Sequence, residues 1–289
     1  MTFASPSTTN YALNKGVNPE ALAKELGQNF VSRADVDRKL GGGVSSPSST
    51  ARYWDVDHAQ YGEVEIQPLS KLELLSAQNL QAATQTIPSV THHDEADMTK
   101  IEAFRKFIKP EAIARDIRVT ALAFHVKALA HCLGAFPRFN ASLTADGSML
   151  IMKKFVHIGI AIDTAYGLIV PVIRDANTKG IWEISAAIQD LATRAKIRKI
   201  RPTEMGGASM TISNLGGIGG TAFTPIINPP EVAILGITKS FHKPVWNGST
   251  FEPKLTLPLD LTYDHRVING ADAARFMSYL AKTIGNPAV

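Results

Sequence analysis

The chain has 289 residues, 45% of them apolar, which suits one large domain with a small appendage. Its formal net charge of +4 is mild; it fits a phosphate-bearing ligand and makes no case for nucleic acid. The single Cys132 rules out an internal disulfide or a cysteine metal cluster, and no signal peptide or long apolar run stands in the sequence, so a cytoplasmic protein that does not enter a membrane is expected.

Ser5 to Asn10 reads as polar and turn-rich. Two short helices are predicted next, Pro19 to Leu26 ended by Gly27, and Ser32 to Leu40 capped by Ser32. Residues 1–40 thus form an N-terminal segment, and 41–60, with Gly41 to Thr50 at its heart, a flexible linker. The main domain covers 61–289. Ser70 and Glu73 have the spacing of a capping box before a helix to about Gln85, and Thr99 and Glu102 repeat it before a second helix. Val90 to Met98 between them reads as extended. Leu122, Val126, Leu129 and Leu133 mark one face of a helix over 120–133. Phe155 to Ile162 and Leu168 to Ile173 read as strands joined by a turn at Tyr166-Gly167. Ile181, Ile184, Ile188, Leu191 and Ala195 mark another amphipathic helix, and Arg194, Arg198 and Arg201 would share a solvated face at its end. Strands are predicted at 209–214, 232–238 and 254–263, and a final helix from Gly270 to about Ile284. Helices mixed with strands give an α/β class, a mixed sheet covered by helices.

Two stretches carry chemistry. In Tyr263-Asp264-His265-Arg266-Val267-Ile268-Asn269-Gly270, a histidine stands where a strand gives way to a helix. An imidazole there can take a proton from a modest acid such as a thiol. Asp264 and Arg266 can pair and fix the backbone around it, and Asn269 can hydrogen-bond a water or a developing negative charge. In Met210-Thr211-Ile212-Ser213-Asn214-Leu215-Gly216-Gly217, a hydroxyl sits where a strand enters a glycine-rich turn. Ser213 suits an oxyanion donor. As a nucleophile it lacks the strand-to-helix elbow, since Pro225, Pro229 and Pro230 forbid a helix soon after. For the same reason Gly217 to Ala222 is not a dinucleotide fingerprint, although its spacing matches. His92-His93-Asp94 is not expected to hold a metal, because neighbours on a strand point to opposite faces. Cys132, His125 and His131 read as packing residues of the 120–133 helix.

Three stretches, 264–270, 206–216 and Ile226-Ile227-Asn228-Pro229-Pro230-Glu231-Val232-Ala233-Ile234-Leu235-Gly236, resemble the catalytic domain of the dihydrolipoamide acyltransferases of 2-oxo acid dehydrogenase complexes. Asn269 and Gly219 to Pro225 look most like the bacterial pyruvate-complex branch. The resemblance implies a chloramphenicol acetyltransferase-like two-layer sandwich, a homotrimer, and transfer of an acyl group, acetyl foremost, between dihydrolipoamide and coenzyme A. It makes His265 the base that deprotonates the thiol of coenzyme A, Ser213 the oxyanion donor, and Asn269 an organiser of the histidine or the intermediate. Histidine and serine would come from neighbouring subunits. No metal is implied, and no residue is singled out for the adenosine end of coenzyme A.

The chain also departs from the family pattern. Nothing in it resembles a lipoyl domain, so the lipoyl group is expected in trans. Residues 18–40 look like a degenerate remnant of the segment that docks the 2-oxo acid dehydrogenase and dihydrolipoamide dehydrogenase components. Pro88-Ser89 stands where relatives have Pro-His, and Ala83 where they carry a bulkier or polar residue. The chain's last residues, Ile284 to Val289, leave assembly of trimers into a larger core open. Two other readings remain: a non-catalytic scaffold subunit of such a complex, and a stand-alone acetyl-coenzyme A-dependent acyltransferase acting on a small acceptor.

Overall fold

The computed structural model describes residues 4, 6–28, 30–32, 35, 36, 39, 40 and 56–286. The chain divides into two compact units, Met1–Pro68 and Leu69–Val289. The first holds α1 (Pro6–Asn14) and α2 (Pro19–Leu26) around a small core of Ala12, Val17, Leu22, Ala23, Val31 and Val36. The Asn18 side chain caps α2 by accepting from the N–H groups of Glu20 and Ala21, and Gly27 ends it at φ 65°, the left-handed conformation that glycine adopts without strain. Helix α1 corrects the expectation of a turn-rich start: Pro6, with φ already near the helical value, opens it. Residues 41–55 of the linker predicted at 41–60, and part of the predicted helix at 32–40, lie outside the described residues.

In the second unit the elements run α3 (Lys71–Thr86), β1 (Ser89–Asp97), α4 (Thr99–Phe107), α5 (Lys109–Ala114), α6 (Ala121–Ala135), β2 (Ala141–Leu143) and β3 (Leu150–Met152). They continue through β4 (Ile158–Ile160), β5 (Val172–Ile173), α7 (Ile181–Lys196), β6 (Met210–Asn214), β7 (Ala233–Ile237), β8 (Phe241–Trp246), β9 (Phe251–Asp264) and α8 (Gly270–Ile284). The main sheet has the order β1-β9-β7-β6-β4-β5, with β8 also on β9. Strands β4, β6 and β7 are mutually parallel and the other pairings antiparallel, so the sheet is mixed as the sequence predicts.

Strand β9 organises the unit. From Thr256 it alternates strictly, and Leu257, Leu259, Leu261 and Tyr263 enter the core with Ile212, Leu235 and the inner faces of α6 and α8. There Phe276 of α8 stacks on Phe139 with ring centroids 4.1 Å apart. Helix α3 starts with the predicted capping box, Ser70 Oγ accepting from Glu73 N–H and Glu73 accepting from Ser70 N–H at 2.7 Å.

Two local predictions yield to tertiary contacts. Thr99 does not cap α4; Asp97 accepts its N–H at 2.8 Å, and its own hydroxyl accepts from the Leu255 N–H at 3.1 Å. Helix α7 ends at Lys196, so the three arginines share no helical face. Arg194 instead binds Asp190 and Glu204, Arg201 binds Glu204, and Arg198 lies over the Tyr166 ring. The strands predicted at 155–162 and 168–173 shorten to β4 and β5 plus an isolated bridge between Ile162 and Ile169.

Candidate active site

The face of the sheet opposite the core carries the polar residues. Register aligns Ser213 of β6, Gly236 of β7, Asp260 of β9 and His93 of β1 in one row. Thr211, Ile234, Thr262 and Thr91 form the next. Paired residues project to the same side, so the Ser213 hydroxyl shares its face with Thr211, Asp260 and His93. Ser213 is half-buried, one residue from the end of β6, and the chain then enters the glycine-rich turn without a helix.

Beside it, the Thr211 hydroxyl donates to Glu231 at 2.8 Å, and the Asn228 amide donates to the same carboxylate oxygen at 3.0 Å. Gly159 leaves room for this pair, since a Cβ there would lie 2.5 Å from the Thr211 hydroxyl. The second oxygen of Glu231 is buried and has no hydrogen-bond partner among the described residues. Burial pushes the Glu231 carboxyl up to about 7, against the pull of Thr211, Asn228 and the charge of Lys153.

His265 stands just past the end of β9. Its backbone N–H donates to the Pro88 carbonyl at 3.0 Å, and its exposed ring lies 5.9 Å from that of Tyr263. The buried Asp264 carboxylate accepts three side-chain bonds from Arg266, at 2.9, 3.1 and 2.6 Å, and the Arg266 backbone N–H at 3.0 Å. That clamp closes the turn around the histidine. Asn269 sits one turn on as the N-cap of α8, its side-chain oxygen accepting from Asp272 N–H at 2.9 Å. The oxygen is therefore committed to the helix, and the amide N–H groups are what Asn269 can offer to chemistry.

His265 and Asn269 thus meet at one turn, but Ser213 does not join them within a chain. Ser213 lies in the Asp260 row, two strands from β9, while His265 is five residues beyond Asp260. At about 3.3 Å per residue and 4.8 Å per strand, five residues along and two strands across put the two about 19 Å apart. Strand β1 sets His92 and His93 on opposite faces, and His93 pairs with Asp260, its Nδ1 2.5 Å from the carboxylate. Glu231 and Asp260 escape the reading of the sequence. The one signal of Asp260 is a charge inside an apolar strand pattern, and that of Glu231 a charge between Pro230 and an apolar strand, where a buried carboxylate needs partners. Cys132 is fully buried, and burial pushes its thiol up to about 12. His125 is buried against Met98, whereas His131 is exposed and meets the Tyr279 hydroxyl of α8 at 3.0 Å.

Residues 61–289 match the family described as 2-oxoacid dehydrogenases acyltransferase (catalytic domain). The chain belongs to this family. The dihydrolipoyllysine-residue acetyltransferase component of the pyruvate dehydrogenase complex of Cupriavidus necator is 44% identical over 98% of this chain and 54% of its own length. Its counterpart from Pseudomonas aeruginosa is 45% identical over 92% of this chain and 49% of its own length. The chain therefore spans about half the length of the curated relatives it matches.

Among solved acyltransferase structures, that of Azotobacter vinelandii dihydrolipoamide acetyltransferase is 48% identical, covers 80% of this chain and 95% of its own, and has a TM-score of 0.79. It comes from work on one serine, one histidine and one asparagine in that enzyme's catalytic mechanism. A structure of the cubic core of the pyruvate dehydrogenase multienzyme complex matches with the same identity, coverage and TM-score. A truncated catalytic core from Thermoplasma acidophilum is 37% identical over 78% of this chain and all of its own, with a TM-score of 0.70. The predicted α/β acyltransferase fold is the one observed. Among the described residues no helix is long and apolar enough to cross a membrane.

Proposed function

We propose that this chain moves an acyl group, acetyl foremost, between the thiols of dihydrolipoamide and coenzyme A, with residues 61–289 as the catalytic domain. The carrying observation is spacing. Ser213, His265 and Asn269 follow one another at intervals of 52 and 4, the intervals that separate the serine, histidine and asparagine of the Azotobacter vinelandii enzyme.

The chemistry then runs as follows. His265 takes the proton of the coenzyme A thiol, and the thiolate attacks the carbonyl of the S-acyl-dihydrolipoamide thioester. Ser213 donates to the oxyanion of the tetrahedral intermediate. The intermediate collapses, the carbon–sulfur bond to dihydrolipoamide breaks, and the departing sulfur takes its proton from the imidazolium. Exchange between two thioesters is nearly balanced in energy, so a base, an oxyanion donor and alignment suffice. The turn clamped by Asp264, Arg266 and Pro88 supplies alignment of the base.

The separation of roughly 19 Å between Ser213 and His265 supports a site shared by two copies, in a homotrimer. Exposed Leu69, Leu74, Leu75 and Leu80 on and before α3 leave apolar surface for such an interface. The lipoyl group arrives from another domain or chain, and the α1–α2 unit is read as the docking segment for the dehydrogenase components of the complex.

The test follows acetyl transfer from acetyl-coenzyme A to free dihydrolipoamide with wild type, His265→Ala, and co-refolded mixtures of His265→Ala with Ser213→Ala. Wild type is expected to transfer and His265→Ala to be inactive. Random mixing should restore about a quarter of wild-type turnover, because one interface in four joins an intact histidine to an intact serine. Normal turnover in His265→Ala would remove the assigned base, and mixtures without recovery would place both residues in one chain's site.

A further inference from the structure

Asp260 lies in the middle of β9 between Leu259 and Leu261 and is 1% exposed, yet the transfer chemistry makes no use of it. One carboxylate oxygen meets Nδ1 of His93 at 2.5 Å. The other accepts the backbone N–H of Phe223 at 3.3 Å. His93 on β1 is half-exposed, its side chain at 53%, so the pair ties an accessible ring to the loop that follows Ser213. The same loop is held a second time, two residues earlier, by the Thr238 hydroxyl donating to the Thr221 carbonyl at 3.1 Å.

These bonds place the Phe223 ring. It fills the space that a side chain at 236 would take: a Cβ on Gly236 would lie 2.7 and 2.8 Å from two ring carbons and 3.1 Å from the Asp260 Cβ. Gly236 is the register partner of Ser213. Neighbouring strands stand about 4.8 Å apart, so the ring lies over the strand next to Ser213, on the face that carries the hydroxyl. An acyl chain that extends from Ser213 across β7 would meet the ring.

Resting on the acyltransferase reading above, we propose that the His93–Asp260 pair is a positioning element that locks Phe223 over Gly236 and so restricts the acyl group admitted at Ser213 to short chains. The physical reason lies in the burial of Asp260. A carboxylate so deeply enclosed keeps its place only while its donors satisfy it. Without His93 it is left with one long bond to a backbone N–H. It then turns toward water, and the Phe223 amide loses its acceptor. Apolar pockets discriminate single methylenes by roughly 10- to 200-fold, so a small release of the ring is readable as a change in acyl preference.

The test uses the full chain in its native oligomer. It compares kcat/KM for acetyl-, propionyl- and butyryl-coenzyme A with dihydrolipoamide, and hydrogen exchange of the segment 218–226, in wild type, His93→Ala, His93→Gln and His265→Ala. His93→Ala is expected to raise the butyryl-to-acetyl ratio about tenfold and to speed exchange in the segment. His93→Gln, which keeps a donor for Asp260, should preserve both. An unchanged ratio, unchanged exchange, or no rescue by glutamine overturns the proposal. A merely structural pair would lower stability and leave the ratio alone. If His265→Ala transfers as well as wild type, the acyltransferase reading is what fails, and exchange still decides whether the pair holds Phe223.

Discussion

The two faces of β9 are buried to the same depth by opposite means. On one side Leu257, Leu259, Leu261 and Tyr263 pack into the core, each no more than 2% exposed. On the other, Thr256, Asp260, Thr262 and Asp264 are at most 5% exposed and held by specific partners: Thr256 to the Lys254 carbonyl at 3.3 Å, Thr262 to the Thr91 hydroxyl at 2.8 Å, Asp260 to His93, and Asp264 to Arg266. Apolar burial is non-directional and scales with area. Polar burial is directional, and each group keeps its benefit only while its partner stays. The first face stabilises the sheet, and the second can hold groups in place for chemistry.

That contrast predicts separable outcomes. Leu261→Ala should cost about 2–5 kcal/mol of stability through the cavity it leaves, read as a lowered urea midpoint. Where the variant is folded, its acyl preference should match wild type. Ser213→Ala, on the polar face, should do the reverse: turnover falls about 10²- to 10³-fold while the urea midpoint stays put. If Ser213→Ala instead destabilised the fold at full turnover, Ser213 would belong to packing rather than to the oxyanion.

Glu231 sharpens the comparison through pH. Its carboxyl, held up to about 7, keeps its proton in the folded chain across a range where the unfolded chain, with an ordinary value of 4.5, has lost it. Stability therefore falls as pH rises from about 4.5 to 7, by on the order of 3 kcal/mol, and levels off above. Glu231→Gln should lack most of that slope when urea midpoints at pH 5 and pH 7.5 are compared. A wild-type midpoint that does not fall over this interval would show Glu231 ionised in place. The smallest effect is at Asn269. Asn269→Ala should lose about 1 kcal/mol with the helix cap, and Asn269→Asp, which keeps the capping oxygen, should recover it. Equal melting temperatures for the two variants would remove the capping role.

The candidate residues are legible in the sequence because each announces itself locally. His265 and Asn269 flank a strand-to-helix junction bracketed by Asp264, Arg266 and Gly270. Ser213 ends an apolar strand at a glycine run. Helix α3 likewise starts where its capping box says, and α8 at the predicted Gly270. Thr99 was misread because a capping box is only a local offer, and a strand 156 residues away took its hydroxyl instead.

What the sequence by itself determined is the set of elements whose signals lie within a few residues of one another: capped helices, alternating strands, and a histidine and a serine at strand ends. Only the tertiary structure decided which strand lies beside which and in what register. That register sets Ser213 and His265 apart within a chain, gives Asp260 a partner 167 residues away, and seats Phe223 on Gly236. The physical reason is that a strand's period of two specifies its faces, whereas its row of hydrogen-bond partners is chosen by the packing of the whole sheet.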